Sequence, residues 1–123
     1  MNLTGDFNMD NSVGSTTAPV NYSHCPKFNK TFSFLGKKWN GLIIDVLLAE
    51  GPLRFRELAR EVNNCSDRVL VERLRELEDA GVVDRNEHTD CSLIEYSLTE
   101  QGKELAPIME SIHSWSEKWY SAE

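Results

Sequence analysis

Ser66-Asp67-Arg68-Val69-Leu70-Val71-Glu72-Arg73-Leu74-Arg75-Glu76-Leu77-Glu78-Asp79-Ala80-Gly81 carries its own start signal, one greasy face and a glycine stop. Leu70, Leu74 and Leu77 fall at i, i+4 and i+7, the period of a helix, while Arg68, Glu72, Arg75 and Asp79 repeat at similar spacing on another face. Ser66 supplies a side-chain oxygen for the first turn, and Gly81 can take the left-handed exit. Upstream, Phe55-Arg56-Glu57-Leu58-Ala59-Arg60-Glu61-Val62 forms a second short amphipathic helix, separated from the first only by Asn63-Asn64-Cys65. Two short helices joined so tightly predict a helix-turn-helix, whose second member enters a major groove.

Beyond Gly81, the stretches from Val82 to His88 and from Ser92 to Leu98 each alternate in part, and the polar Thr89-Asp90-Cys91 between them suits a hairpin. Helix, turn, helix, hairpin is the winged-helix order. On the upstream side, Phe28, Thr31, Phe32 and Leu35 sit at helical spacing, giving a first helix that ends near Gly36. A second, from about Lys38 to Ala49, carries Trp39, Leu42, Ile43, Val46 and Leu47, and Gly51-Pro52 ends it. Leu53-Arg54-Phe55 suits a short strand. Thr99 caps a closing helix of about twenty residues, roughly 30 Å. Leu105, Ile108, Ile112, Trp115 and Trp119 make its heptad-like apolar seam. That is longer than so small a core needs, so part of the seam is expected to meet a partner chain, the plainer alternative being that it caps its own core.

The sequence resembles the HxlR family of bacterial transcription regulators, winged-helix relatives of the MarR regulators. The residues that carry the resemblance are Cys25-Pro26, Leu35-Gly36-Lys37-Lys38-Trp39, Leu47 through Phe55, Ser66 through Gly81, Glu95-Tyr96-Ser97-Leu98-Thr99-Glu100-Gln101-Gly102 and Trp115. Expected, then, is a mainly α, α+β winged helix-turn-helix over residues 25–123, preceded by a flexible extension over 1–24. The resemblance implies dimerisation through the first and last helices, here Phe28, Phe32, Ile108, Ile112, Trp115 and Trp119. It also implies a homodimer on a palindromic operator of double-stranded DNA, acting as a repressor. Its Cys-Pro is similar to that of members that sense quinones, hypochlorite, diamide or aldehydes, so Cys25 is the expected sensor of oxidants or electrophiles, and its oxidation or alkylation the expected trigger for release. For Cys65 and Cys91 as resolving partners the family offers no match. The wing departs from the family in lacking its prolines and in adding Asp90.

The residues themselves suggest who does the reading. Arg68, in the first turn, can grip guanine O6 and N7 with both ends of its guanidinium, or else pair with Glu72 one turn on. The Ser66 hydroxyl can serve a phosphate or the cap, and the uses compete. Val71 is the odd apolar residue off the buried stripe, suited either to a thymine methyl or to half-buried packing. Arg75 is placed for backbone phosphate, and Arg73 for bonding to neighbouring helices. Lys37, Lys38, Arg54 and Arg56 are candidate phosphate contacts that set register without reading sequence, the alternative being plain solvation. Arg85 and His88 on the hairpin are candidates for phosphate or a minor groove.

Composition constrains the partners. The chain has 123 residues, 40% of them hydrophobic, enough for one modest core, and a net charge of −7. That acidity opposes phosphate binding, and it favours the competing reading of a winged-helix protein-interaction module that never touches DNA. Its distribution answers part of the objection: residues 25–62 sum to +3, whereas 89–123 sum to −5. Three cysteines make an odd number for a disulfide framework. His24, Cys25, His88 and Cys91 contain no closely spaced ligand pairs, so no metal and no other cofactor is expected. No local motif pairs a nucleophile with His24, His88 or His113, and no phosphate loop appears, so an enzyme is not expected. There is neither a signal peptide nor a run of the roughly twenty apolar residues a membrane span needs, which fits a cytoplasmic protein.

Overall fold

The structure, a computed structural model, describes residues 26–88 and 90–121. The expected extension over 1–24, Cys25 and Thr89 lie outside the described residues. Contacts divide the chain between Thr31 and Phe32, inside helix α1 (Pro26–Leu35). In the described part of the first unit, Pro26 to Thr31 form the opening turns of α1, where the Thr31 hydroxyl donates to Lys27 O at 3.1 Å.

The second unit is built around α2 (Asn40–Glu50), the greasy run of the sequence. Ile43, Ile44 and Leu47 are buried, while Leu42, one of the apolar residues of its pattern, is exposed. The helix begins later than its apolar pattern implies, because Trp39 adopts a left-handed backbone at φ 82. Asn40, fully buried, then donates from Nδ2 to Phe34 O at 2.7 Å, satisfying the end of α1. Strand β1 (Leu53–Arg54) follows, one residue shorter than expected, because Phe55 already opens α3 (Phe55–Glu61). The Arg54 N–H donates to Glu57 Oε1 at 2.9 Å, closing the first turn. Helix α3 contributes Leu58 to the core, with Val62 just beyond it.

Helix α4 (Asp67–Asp79) buries Leu70, Leu74 and Leu77, the stripe that its spacing marks out. Each of these, fully removed from water, contributes about 1.5–3 kcal/mol. The Ser66 Oγ accepts from Val69 N at 3.2 Å, so the hydroxyl is used as the cap. At the other end, Gly81 takes φ 81, and Val82 N donates to Leu77 O at 2.9 Å, the six-to-one bond of a Schellman ending.

Strands β2 (Val83–His88) and β3 (Leu93–Leu98) form an antiparallel hairpin. Pairing runs from Val83 with Leu98 to His88 with Leu93. β3 is central in the order β1-β3-β2. The expected alternation fails on β2: Val83 is buried, but every residue from Asp84 to His88 is exposed, because the distal hairpin stands off the core. Tyr96 and Leu98 of β3 complete the core floor.

The closing helix is not continuous. A single turn, α5 (Glu100–Lys103), is followed by α6 (Ala106–Trp119), with Pro107 in the first turn of α6. A proline ring collides with the carbonyl four residues back, here Lys103, so one helix cannot run through. The uninterrupted helix of about 30 Å is thereby corrected to one of roughly 21 Å. Only Met109 of α6 is buried.

Candidate nucleic-acid interface

The solvent side of α4 carries the groove candidates. Arg68 is 89% exposed, its Nε 3.8 Å from Glu72 Oε2. Val71 is 38% exposed. Arg75 is exposed and has no ion pair among the described residues. Arg73 differs from its neighbours. It is only 19% exposed, with NH2 3.5 Å from Glu72 Oε1 and NH1 3.4 Å from Glu76 Oε1.

Several basic residues expected to meet phosphate are held by carboxylates. Lys37 Nζ lies 2.8 Å from Glu76 Oε2, and this bond holds the Glu76 carboxyl below its ordinary value, with Arg73 adding to the effect. Arg56 NH1 lies 3.0 Å from Asp67 Oδ2, tying the two helices of the helix-turn-helix together. On the wing Arg85 pairs with Glu87, and His88 Nε2 lies 3.4 Å from Glu95 Oε1. Lys38 is stacked over the Trp39 ring at 5.0 Å. Arg54 is exposed at the start of α3. α4 therefore presents Arg68 and Arg75 outward, whereas Lys37, Arg56 and Arg85 are partly neutralised.

Cys65 sits in the turn of the helix-turn-helix, half-buried, and that burial pushes its thiol up from the ordinary value. The opposing pull of Arg73 and Lys38 is smaller. Cys91 is exposed at the wing tip. No group of three or more metal-ligating side chains occurs among the described residues.

A second surface lies on α6. Ile108, Ile112, Trp115 and Trp119 are 46% to 62% exposed. Pro107, Ile108, Ser111, Ile112 and Trp115 line one apolar hollow. Phe28 and Phe32 on α1 are also about half exposed, at 52% and 51%. Of the seam expected from the sequence, Leu105 packs against the core, while the members from Ile108 onward are turned to solvent in the single chain.

Residues 34–123 match the HxlR-like helix-turn-helix family. The chain belongs to it. The HTH-type transcriptional regulator YvaP of Bacillus subtilis (strain 168) is 47% identical over 96 residues, 77% of this chain and 88% of YvaP. The reduced form of the B. subtilis transcriptional regulator YodB superposes with a TM-score of 0.70 at 40% identity, over 77% of this chain and 93% of YodB. YodB has also been solved quinone-bound and diamide-treated. The redox regulator HypR, in its reduced form, gives a TM-score of 0.67 at 35% identity, over 75% of this chain and 91% of HypR. This HxlR-like chain is a winged helix-turn-helix, DNA-binding transcription regulator, from a family of regulators rather than of enzymes. No helix among its described residues is long and apolar enough to cross a membrane.

Two features escaped the sequence. One is the ladder of charges from Lys37 through Glu76 and Arg73 to Glu72, of which only the Arg73-Glu76 spacing is visible in the chain. The other is the pair His113-Asp45, whose partners are 68 positions apart and carry no shared motif.

Proposed function

We propose that the protein is a homodimeric, cytoplasmic repressor that lays α4 of each subunit in successive major grooves of a palindromic operator, within a domain spanning residues 25–123. Arg68 reads a guanine edge, Val71 packs on a thymine methyl, and Arg75 and the capped first turn at Ser66 hold phosphate. Lys38 and Arg54 add phosphate contacts. Lys37, Arg56, Arg85 and His88 contribute less, since each lies nearer to a carboxylate of its own chain than Arg68 does to Glu72. The observation that carries this reading is the outward, 89% exposed guanidinium of Arg68 in the first turn of a helix whose opposite face is the core. The subunits meet through Phe28, Phe32, Ile108, Ile112, Trp115 and Trp119. The α6 stripe of Ile108, Ile112, Trp115 and Trp119 is too apolar to be left to water.

Cys25 is the thiol that oxidants or electrophiles attack to release the operator. The support is the likeness to YodB and HypR, solved between them in reduced, quinone-bound, diamide-treated and oxidised forms. The test is a mobility shift on the DNA flanking the gene. The parent binds this DNA in preference to unrelated duplex, Arg68→Ala binds it no better than unrelated duplex while remaining a dimer, and diamide releases the parent but not Cys25→Ser. An Arg68→Ala variant that binds as well as the parent overturns the groove assignment, and release of Cys25→Ser by diamide removes that thiol from the mechanism. A parent that leaves heparin and nonspecific duplex without salt dependence would favour the protein-interaction module instead.

A further inference from the structure

The acids of α4 pose a problem for a groove-binding helix, since each stands close to where phosphates must come. Four contacts of its charged side chains form one ladder. Lys37 Nζ meets Glu76 Oε2 at 2.8 Å; Glu76 Oε1 meets Arg73 NH1 at 3.4 Å; Arg73 NH2 meets Glu72 Oε1 at 3.5 Å; Glu72 Oε2 meets Arg68 Nε at 3.8 Å. Exposure falls from Lys37 at 47% through Glu76 at 30% to Arg73 at 19%, then rises through Glu72 at 47% to Arg68 at 89%. The two oxygens of Glu72 thus face different arginines, one set into the body and one projecting. The contact to Arg68 is made at Nε, so the two terminal nitrogens, the fork that fits guanine O6 and N7, stand outside it.

We propose that Glu72 is the positioning residue for Arg68, held in place by Arg73 and through it by Glu76 and Lys37. The inference rests on the assignment of Arg68 as base reader. A solvated pair of this kind adds little to stability. Its effect is on order: a long arginine side chain must give up rotamer freedom to grip a base, and the attraction of a carboxylate 3.8 Å from Nε narrows that freedom before binding. Arg73 and Arg68 also neutralise Glu72, so its charge repels phosphate less than an unpaired acid would. Lys37 then serves as the anchor of the ladder rather than as a phosphate contact.

The probe is the set of duplexes that the full-length parent selects from a random-sequence pool, followed by single base-pair replacements in the winner. The parent prefers one G·C pair by about 10- to 100-fold, and Arg68→Ala loses that preference. Glu72→Ala loses most of it at the same pair, while its binding to an unselected duplex is unchanged or stronger. Glu72→Gln keeps the side-chain length without the charge and falls between Glu72→Ala and the parent. The double variant is no worse at that pair than Arg68→Ala alone, the non-additivity of two residues acting as one unit. Full retention of the preference in both Glu72 variants overturns the proposal, and so does a loss at a different pair, which would make Glu72 a reader itself. An Arg68→Ala variant with unaltered preference everywhere sinks the groove assignment and Glu72's role together, a result distinct from the other two.

Discussion

His113 on α6 reaches both carboxylate oxygens of Asp45 on α2, its Nε2 lying 2.9 Å from Oδ1 and 2.8 Å from Oδ2. Asp45 is the polar interruption in the greasy run of α2. Its partner gives α6, which buries only Met109, a second attachment to the body. The Asp45 carboxylate raises the His113 imidazole above its ordinary value, and Glu117 adds to the same effect.

A pH dependence follows from that pair. Because the folded state holds the His113 proton more tightly than the unfolded chain does, the stability contributed is fully present below about 6.5 and fades as pH rises through the raised value. Thermal unfolding midpoints of the parent and of His113→Gln should differ most at acid pH and converge on the alkaline side. Asp45→Asn should return the His113 titration, followed by its ring proton signal, toward the ordinary value. A gap that widened with rising pH would contradict the assignment.

Gly102 sits where the turn after β3 closes on the end of α4. The Thr99 hydroxyl donates to Gly81 O at 2.7 Å, and Gly102 N donates back to Thr99 Oγ1 at 3.0 Å. A Cβ on Gly102 would fall 2.3 Å from Val82 O, a backbone atom that cannot swing aside. Gly102→Ala should therefore destabilise the fold by about 1–3 kcal/mol, the range for overpacking. Urea unfolding reads this, and a change below 0.5 kcal/mol or so, the range of ordinary surface substitutions, would show that the turn yields.

These close approaches mark the limit of what the chain discloses. Leu70, Leu74 and Leu77 are legible because burial of one helix face imposes a period, and Ser66 and Gly81 because helix ends demand particular chemistry. The α5-α6 break is marked by Pro107, but the apolar seam that starts at Leu105 and runs on through Ile108, Ile112, Trp115 and Trp119 spans that proline at helical spacing and masks the stop. Trp39 shows the reverse case. A tryptophan in a left-handed backbone at φ 82 has no sequence signature, since its conformation is imposed by the buried Asn40 and the turn behind it. Among site residues, exposure of Arg68 and Arg75 follows from the same period. The pairing of Lys37 with Glu76, 39 positions on, depends on how α4 packs near the start of α2.

Ser66 is used as a cap, and the cap has a measurable worth. Ser66→Ala removes the acceptor for Val69 N and should cost about 1 kcal/mol, within a range of 0.5–2, whereas Ser66→Asp should retain most of the stability because a carboxylate also suits a helix start. Denaturant midpoints give both values. If Ser66→Ala instead left stability untouched and weakened only DNA binding, the hydroxyl would belong to phosphate rather than to the helix.

The apolar stripe of α6 separates association from folding. Ile112 and Trp115 are 47% and 56% exposed in the single chain, so replacing either should move monomer stability by no more than about 0.5 kcal/mol. In a dimer the same side chains would lie at the centre of the contact, where a charge without a partner is costly. Ile112→Asp should sediment at the mass of the 14.0 kDa chain while the parent runs at twice that mass. Operator affinity should fall with it, because a half-site bound alone forfeits the contacts of the second α4. An Ile112→Asp protein that kept both its dimer and its operator would place the subunit contact elsewhere, with the α6 stripe left to some other partner.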